Sequence, residues 1–405
     1  MHTGKKKWVF SGLGLGVIVA AYCAFSLLRP IQLTPPASNQ VRQTNSRVES
    51  KIAWPSSGQS AVGILGSPYI ATHAVQTPTP TASVAKLITA LVVLKAKPLQ
   101  PGQSGPLITL SANDVAIYNQ YVAEQGSVVP VTANETLSEY QMLEAMLLPS
   151  ANNIADSLAI WAYGSLPAYS QAANAYLTDQ ALSQTHVGVD ASGYDPSTTS
   201  TAYDLVRLGE LAMENPVIAG IVSQPSVSGI PLTTVVKNVN SLLGTNGIIG
   251  IKTGNTDQAG GVFVSASHIT INHKTVTIVT ALAKTPTLAA ALAVSVPFIQ
   301  STHINFDSQS LAQSGSVVGH YSLPWGGVVP IVTNQDFDVT AWNDSPLSIT
   351  TSLKTITNKT SDATPIGTLS AEQVPSLPRQ SVSLYLEHAT GQPTIWWRLT
   401  HPITK

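Results

Sequence analysis

The chain has 405 residues, of which 43% are apolar and only 10% are charged, and its formal net charge is −1. This composition excludes disorder driven by net charge and gives no basis for a nucleic-acid partner, while the length predicts two or three domains. The single cysteine, Cys23, excludes an intrachain disulfide, and the nine histidines form no His-x-x-x-His pair, so the spacing predicts neither a metal site nor a cofactor.

The N-terminus has the pattern of a membrane-directed segment. Lys5–Lys7 precede an uncharged run from Trp8 to Leu28, which ends at Arg29. About 21 helical residues span roughly 32 Å, close to the ~30 Å of a bilayer core. Because a basic flank stays in the cytoplasm, the rest of the chain is expected outside the cell membrane. We predict a transmembrane helix within residues 1–30; a cleaved signal peptide, which would make the protein secreted, is the open alternative.

The next segments change from polar to alternating apolar sequence. Residues 31–52 are polar and contain a Pro-Pro pair, which predicts a flexible linker. Two short apolar runs around Gly66–Pro68 predict a β-hairpin over Ser60–Ala71. Residues 78–82 are expected to form a loop, and helical spacing of apolar residues begins near Ser83.

The central part of the chain alternates in character between helix-like and strand-like segments. Helical spacing of apolar residues recurs at Leu137–Leu148, Ala151–Tyr163, Thr201–Met213 and Thr287–Gln300. Strand-like runs occupy Gly247–Gly254, Gly261–Ala266 and Thr275–Ala283, with a turn near Asn272-His273. This order predicts an α+β domain over residues 53–306, in which helices cover an antiparallel sheet and a helical lobe is inserted.

The last hundred residues have a β-type pattern. Short segments rich in β-branched residues lie between turn signals at Val328–Val332, Phe337–Trp342, Leu347–Leu353 and Val382–Leu386. They predict a small all-β domain over residues 307–405, without helices. We interpret Trp396–Arg398 as core and edge packing of that domain.

Three short motifs carry residues suited to nucleophilic catalysis, and the first is Ser83–Lys86. On a helix, positions i and i+3 share a face, which brings the lysine amine beside the serine hydroxyl. A serine needs a base to become a nucleophile, and a lysine can serve when burial lowers its pKa. Ser83 is therefore the candidate nucleophile and Lys86 the candidate general base, with the helix start favouring negative charge at Ser83.

The second motif is Ser150-Ala151-Asn152, between two apolar helical segments. The Ser150 hydroxyl is a candidate proton relay to a leaving nitrogen, and the Asn152 amide can hold a substrate carbonyl or Lys86. The same triplet occurs at Ser111–Asn113, but Asp114 follows three residues after Ser111. That spacing is typical of a helix N-cap box, so we interpret the second copy as structural.

The third motif is Lys252-Thr253-Gly254 on a strand-like segment. A strand edge can pair with an extended peptide, and Gly254 lets the ligand approach the backbone closely. Lys252 supplies positive charge, and the hydroxyls of Thr253 and Thr256 suit a substrate carboxylate. The backbone N–H groups of Ser83 and Asn255 are candidates for an oxyanion hole.

With this order and spacing, the chain resembles the D-alanyl-D-alanine carboxypeptidases, the low-molecular-mass penicillin-binding proteins of peptidase family S11. The resemblance spans roughly residues 55 to 300 and is carried by Thr81–Ala90, Met146–Ala155, Thr201–Leu205, Lys237–Asn240, Gly250–Gly254 and Ala259-Gly260. It implies a D,D-peptidase fold and removal of the terminal D-alanine from peptidoglycan stem pentapeptides through an acyl-enzyme on Ser83. It also implies that β-lactams acylate Ser83.

Two departures from the family pattern affect details of the pocket. Asn153 stands where the family often has Asp, and Asn255 stands where a His or an aromatic residue is common. Neither change removes a reacting group.

Three other functions use similar motifs. A D,D-endopeptidase would cut cross-links with the same site, but endopeptidases of this resemblance usually lack the β-rich tail. A non-catalytic penicillin-binding scaffold is disfavoured because all reacting groups are present. A class A β-lactamase needs a glutamate for the deacylating water, and the candidates Glu144, Glu210 and Glu214 lie within predicted helices.

Overall fold

The structure is a computed structural model that describes residues 4–35, 52–66, 70–228, 235–271, 274–342, 347–373 and 379–402. The predicted turn at Asn272-His273 and most of the predicted linker lie outside these ranges.

Helices and strands alternate through the first three quarters of the chain, and strands dominate the rest. The helices are α1 (Gly4–Leu28), α2 (Ala85–Ala96), α3 (Ala112–Ala123), α4 (Glu139–Leu147), α5 (Asn152–Tyr163), α6 (Leu166–Asp179), α7 (Ala202–Glu214), α8 (Pro216–Val222), α9 (Leu288–His303) and α10 (Ile395–Thr400). The strands are β1 (Gln32–Leu33), β2 (Gln59–Ile64), β3 (Ile70–His73), β4 (Thr79–Pro80), β5 (Leu107–Thr109), β6 (Thr136–Ser138), β7 (Thr199–Ser200), β8 (Ser226–Val227), β9 (Val236–Lys237), β10 (Ile248–Thr256), β11 (Gly260–Ile271), β12 (Lys274–Thr285), β13 (Phe306–Ala312), β14 (Val317–Ser322), β15 (Val328–Thr333), β16 (Phe337–Trp342), β17 (Leu347–Leu353), β18 (Ile356–Thr357), β19 (Gly367–Gln373) and β20 (Gln380–Leu386).

The first domain is built on a five-stranded antiparallel sheet in the order β10-β11-β12-β2-β3. Successive side chains of a strand point to opposite faces, so Ala61 packs into the main core while Val62 packs with Phe298 of α9 on the other face. The predicted hairpin and the α+β class with an antiparallel sheet are confirmed. Strand β10 lies at the sheet edge.

The helical lobe shares its core with one face of the sheet. Leu87 of α2, Leu143 of α4 and Leu158 of α5 have no exposed surface and belong to one cluster with Ala61. Two of the helices begin with a complete capping box, at Ser111 and at Ser138, which satisfies backbone N–H groups at the helix start. The lobe thus forms a rigid frame beside edge strand β10.

The β-rich tail forms a separate sheet in the order β14-β15-β20-β19-β17, with β13 paired to β16. Buried apolar residues such as Tyr321, Ile331 and Leu384 give it a core of its own. All four predicted strand segments are present. The expectation of a tail without helices is wrong, because Thr394 caps α10 and the segment Ile395–Thr400 is helical.

The region directly after α1 packs as part of the tail domain. Strand β1 pairs with β18, the Ile31 N–H donates to Asn358 Oδ1 at 2.8 Å, and Leu33 lies in the core of the tail domain. The flexible linker predicted from residue 31 onward is therefore wrong for Ile31–Leu33. The segment was predicted as a linker because most of its residues are polar, but the alternating apolar residues Ile31 and Leu33 are buried.

The end of α1 is held by α10. The Arg398 guanidinium is buried and donates to Leu27 O at 2.9 Å and Arg29 O at 3.0 Å, while Tyr22 donates to Leu399 O. In the part of the chain that the structure describes, no helix combines the length and apolarity needed to cross a bilayer. The predicted transmembrane helix is not confirmed.

Only part of Trp396–Arg398 packs against the domain as predicted. Trp396 is 75% exposed, whereas Trp397 contacts Trp325 edge to face and Arg398 is buried. A helix presents successive side chains to different sides, so only part of this triplet reaches the domain.

Candidate active site

The first motif lies where a 3₁₀ turn, Ala82–Val84, runs directly into α2. Ala82 has φ +45°, an uncommon conformation for a residue with a Cβ, of the kind that occurs at functional sites. Ser83 and Lys86 share a face, and Lys86 Nζ lies 2.7 Å from Ser83 Oγ. The predicted contact is present, although the α-helix proper begins two residues after Ser83.

Three oxygen atoms surround the Lys86 amine. They are Ser83 Oγ at 2.7 Å, Asn152 Oδ1 at 2.7 Å and the Ser192 carbonyl at 3.1 Å. A neutral amine has two N–H donors and one lone pair. Since the amide and carbonyl oxygens can only accept hydrogen bonds, they take the two N–H groups. The lone pair then faces the Ser83 hydroxyl, which suits transfer of the serine proton to Lys86.

The electrostatic surroundings favour the neutral form of Lys86. Burial, followed by the charge of Lys252, lowers the pKa of Lys86 well below its usual value, and Asp190 and Asp156 oppose that shift. A buried ammonium loses its hydration, so the neutral amine gains population near neutral pH. The site thus contains a candidate base beside a candidate nucleophile.

The second motif occupies the short link between α4 and α5. Ser150 has φ +67°, and its hydroxyl accepts a hydrogen bond from Lys252 Nζ at 2.9 Å. The Asn152 N–H donates to Ser127 O at 2.7 Å, which fixes the start of α5. Asn153, one of the two departures from the family pattern, forms two hydrogen bonds with the backbone of Val129 and is fully buried. Asn153 therefore supports the loop and does not enter the site.

The third motif places Lys252 within hydrogen-bonding distance of Ser150. Lys252 is buried on edge strand β10 and donates to Ser150 Oγ and to Thr253 O at 3.0 Å. Burial lowers the pKa of Lys252 to about 7. The charge of Lys252 acts on Lys86, so a second lysine with a lowered pKa lies close to the candidate base.

Gly254 allows edge strand β10 to approach the turn that carries Ser83. A Cβ atom at position 254 would lie 2.8 Å from Thr81 O, 3.1 Å from Ala82 Cβ and 3.2 Å from the Ser83 nitrogen. Contacts below 3 Å to backbone atoms require the backbone to move. The close approach that the structure shows at Gly254 is to the chain's own turn, whereas close approach of a ligand, for which the sequence predicts this glycine, stays a prediction.

The remaining predicted binding residues lie at the end of the same strand. Asn255 is exposed, and the Thr256 hydroxyl accepts a hydrogen bond from the Ala259 N–H at 3.1 Å. Both line a cleft of about 700 Å³, together with Tyr121, Asp156 and Asp190. The structure thus gathers Ser83, Lys86, Ser150, Asn152 and Lys252 in one place. Asn255 and Thr256 face a cleft that none of these five residues lines.

The second Ser-Ala-Asn copy is separate from this site. The Ser111 hydroxyl accepts from the Asn113 N–H at 3.2 Å, and the Ser111 N–H donates to Asp114 Oδ2 at 2.7 Å. This is a capping box at the start of α3, and the prediction of a structural role is confirmed.

Four buried residues that the motifs do not contain complete the surroundings of Lys86. Ser192 contributes its carbonyl, and Tyr121, Asp156 and Asp190 form hydrogen bonds beside it. One signal in the sequence was available, because Asp156 interrupts the apolar face of a predicted helix, and a charged residue in that position needs a partner.

Solved structures show which class of protein has this fold. Penicillin binding protein 5 from Haemophilus influenzae is 18% identical with a TM-score of 0.57, covering 84% of this chain and 99% of its own. A D-alanyl-D-alanine carboxypeptidase from Mycobacterium tuberculosis is 25% identical with a TM-score of 0.53, covering 62% of this chain and 92% of its own. The fold is therefore that of the penicillin-binding and β-lactamase-like proteins.

The sequence comparison gives the family. The D-alanyl-D-alanine carboxypeptidase family of S11 peptidases matches residues 69–285, and the chain belongs to this family. The D-alanyl-D-alanine carboxypeptidase DacB2 of Mycobacterium tuberculosis is 32% identical over 195 residues, which cover 46% of this chain. The chain spans 62% of the length of that curated relative.

Proposed function

We propose that the protein is a serine D,D-carboxypeptidase that removes the terminal D-alanine from peptidoglycan stem pentapeptides. The observation that carries the proposal is the contact of the Lys86 amine with Ser83 Oγ at 2.7 Å, with its other two neighbours being oxygen acceptors. Family membership and the name of the curated relative support the same activity.

In the acylation step, Lys86 takes the proton of the Ser83 hydroxyl while Ser83 Oγ attacks the carbonyl carbon between the two D-alanines. The backbone N–H groups of Ser83 and Asn255 hold the oxyanion; in support, a Cβ at position 254, next to Asn255, would lie only 3.2 Å from the Ser83 nitrogen. The C–N bond then breaks, and the leaving amine takes the proton that Lys86 removed from Ser83, relayed through the hydroxyl of Ser150, which Lys252 Nζ contacts. Lys86 is then neutral again. In the second step water hydrolyses the ester and releases the shortened peptide.

Substrate binding uses the edge strand. An extended peptide can add to the free side of β10 by main-chain hydrogen bonds, with Asn152 beside its carbonyl. Lys252 supplies positive charge for the terminal carboxylate, and the hydroxyls of Thr253 and Thr256 supply donors. β-Lactams would acylate Ser83 in the same way and act as covalent inhibitors. In support, the similar protein from Haemophilus influenzae is named a penicillin binding protein.

The activity requires the catalytic domain to face the cell wall, so we also propose that it acts outside the cytoplasmic membrane. The three lysines followed by an uncharged run at the N-terminus support this direction of export. Fractionation of cells that produce the full chain, with protease added to intact spheroplasts, tests the proposal. Protection of the catalytic domain from protease would contradict it, and the fraction in which the chain is found separates attachment from secretion.

The test of the peptidase activity uses the full chain with a stem pentapeptide and, separately, with a cross-linked peptide dimer. We expect D-alanine release from the pentapeptide, loss of that release in Ser83→Ala, and slow or absent cleavage of the dimer. Faster cleavage of the dimer would favour the endopeptidase, and absence of both peptide reactions with penicillin labelling retained would favour the penicillin-binding scaffold.

A further inference from the structure

A buried polar cluster lies directly beneath the candidate base. Tyr121 of α3, Asp156 of α5, and Asp190 and Ser192 of the loop before β7 are each less than 10% exposed. The Tyr121 hydroxyl donates to Asp156 Oδ2 at 2.8 Å, and the Ser192 hydroxyl donates to Asp190 Oδ2 at 2.8 Å. The reaction scheme above uses none of these side chains.

The two carboxylates fix the peptide units around Ser192. Asp190 Oδ1 accepts the Gly193 N–H at 3.0 Å, and this N–H belongs to the same peptide plane as the Ser192 carbonyl. Because the C=O and N–H of a trans peptide point in opposite directions, anchoring the N–H at Asp190 aims the carbonyl at Lys86. Asp156 Oδ1 accepts the Ala191 N–H at 2.9 Å, which secures the residue before Ser192.

The cluster also brings negative charge close to the amine. The charged groups that act on Lys86 come from three elements, namely Lys252 from β10, Asp156 from α5 and Asp190 from the loop. The two acids favour the protonated form of Lys86, whereas burial and Lys252 favour the neutral form. Burial raises the pKa of Asp156 and the charge of Lys86 in turn opposes that rise, so these two groups titrate as a coupled pair and removing the acid changes the titration of Lys86.

We propose that Asp156 is a positioning residue for the general base. Together with Asp190, it holds the Ser192 carbonyl against the Lys86 amine and keeps that amine basic enough to accept the Ser83 proton. Asp156 acts through Lys86 and does not touch the substrate's reacting atoms. This inference rests on the proposed function, since it assigns Lys86 the role of base.

The test separates charge from geometry at one position. In Asp156→Asn the amide oxygen can still accept the Ala191 N–H, but the negative charge is gone; in Asp156→Ala both are removed. Asp204→Asn is the matched control, because Asp204 is also buried and accepts hydrogen bonds at 2.9 Å from Gln184 N and from Thr185 Oγ1, away from Lys86.

The measurement is the rate of Ser83 acylation by benzylpenicillin between pH 5 and pH 9, on the full chain. Burial, followed by the charge of Asp190, raises the pKa of Asp156 to about 7, so Asp156 carries its charge in the upper part of this pH range. Loss of that charge lowers the pKa of Lys86 further, so Asp156→Asn is expected to move the acidic midpoint of the rate–pH profile down by roughly 0.5–1 pH unit. Asp156→Ala is expected to show that shift and, in addition, a plateau rate lower by about tenfold. Asp204→Asn is expected to lose stability without moving the midpoint.

The outcomes distinguish the two proposals. If the wild-type chain is not acylated on Ser83, the proposed function fails. If the wild type is acylated and Asp156→Asn, shown folded by its thermal unfolding transition, keeps the wild-type midpoint, the role of Asp156 in keeping Lys86 basic is refuted. Asp156→Asn carries this decision even if Asp156→Ala does not fold. A wild-type plateau rate in Asp156→Ala refutes the role of Asp156 in holding the Ser192 carbonyl.

Discussion

The two Ser-Ala-Asn triplets of the chain allow a matched test of the site. Ser150 is 5% exposed and accepts a hydrogen bond from Lys252 Nζ at 2.9 Å. Ser111 is exposed and caps α3. Serine to alanine at each position removes the same hydroxyl group, flanked by the same two residues on its C-terminal side. We predict that only Ser150→Ala slows acylation of Ser83.

The magnitudes follow from what each hydroxyl contacts. Removal of a serine N-cap costs about 1 kcal/mol of folding free energy, and loss of one hydrogen bond at Ser150 costs about the same. Both variants should therefore unfold 2–4 °C below wild type, roughly the shift expected for domains of this size. A lost proton-transfer group lowers the rate by about 10²–10⁴, equivalent to roughly 3–5 kcal/mol of activation free energy.

The assay is time-resolved labelling with a fluorescent penicillin, alongside thermal unfolding of the same preparations. We expect Ser111→Ala to acylate within about twofold of the wild-type rate, since a capping loss changes stability and not the reacting groups. Wild-type rates in Ser150→Ala, or equal slowing in both variants, would refute the assignment of Ser150 to the site.

Three further changes test other parts of the structure. Gly254→Ala places a Cβ 2.8 Å from Thr81 O and should slow acylation at least about tenfold by displacing the edge strand, measured by penicillin labelling. Burial raises the pKa of Glu139 to about 7, above the unfolded value of about 4.3. The folded protein therefore loses stability as the pH rises from about 4.3 to about 7. Glu139→Gln should therefore gain about 2 kcal/mol relative to wild type between pH 5 and pH 8 in urea unfolding. Arg398→Ala removes the donors to Leu27 O and Arg29 O and should raise hydrogen exchange at the end of α1.

Each of these has a result that would count against it. Wild-type labelling by Gly254→Ala would mean that the close approach is not needed. A stability difference for Glu139→Gln that does not change with pH would mean that the carboxyl is not held protonated. Unchanged exchange in Arg398→Ala would mean that other contacts hold α1 against α10.

The sequence predicted the site better than its surroundings. Ser83 and Lys86 are three residues apart on one short turn, so helical geometry alone places them together. Ser150 and Lys252 are 102 positions apart, and family resemblance rather than spacing paired them. The capping box at Ser111 was predictable because it is complete within four residues.

What the sequence did not predict depends on long-range packing. Ser192 acts through its backbone carbonyl, which no side-chain pattern indicates. Asp156 and Asp190 are far apart in the sequence and come close only in the folded chain. Strand β1 pairs with β18, which lies more than three hundred positions later in the chain, and local sequence cannot predict such a pairing. Its polar neighbours predicted a linker instead. Helix α10 is a six-residue element, too short for a helical period to be detected.

Central to the proposed mechanism is a covalent bond between the substrate acyl group and Ser83. The most direct measurement is intact-mass and peptide-mapping mass spectrometry of the full chain after benzylpenicillin, with D-alanine release measured in parallel for wild type and Ser83→Ala. We predict one adduct per chain on the peptide that contains Ser83, and no D-alanine release in Ser83→Ala. An adduct on any other residue, or D-alanine release that persists in Ser83→Ala, would contradict the proposed mechanism.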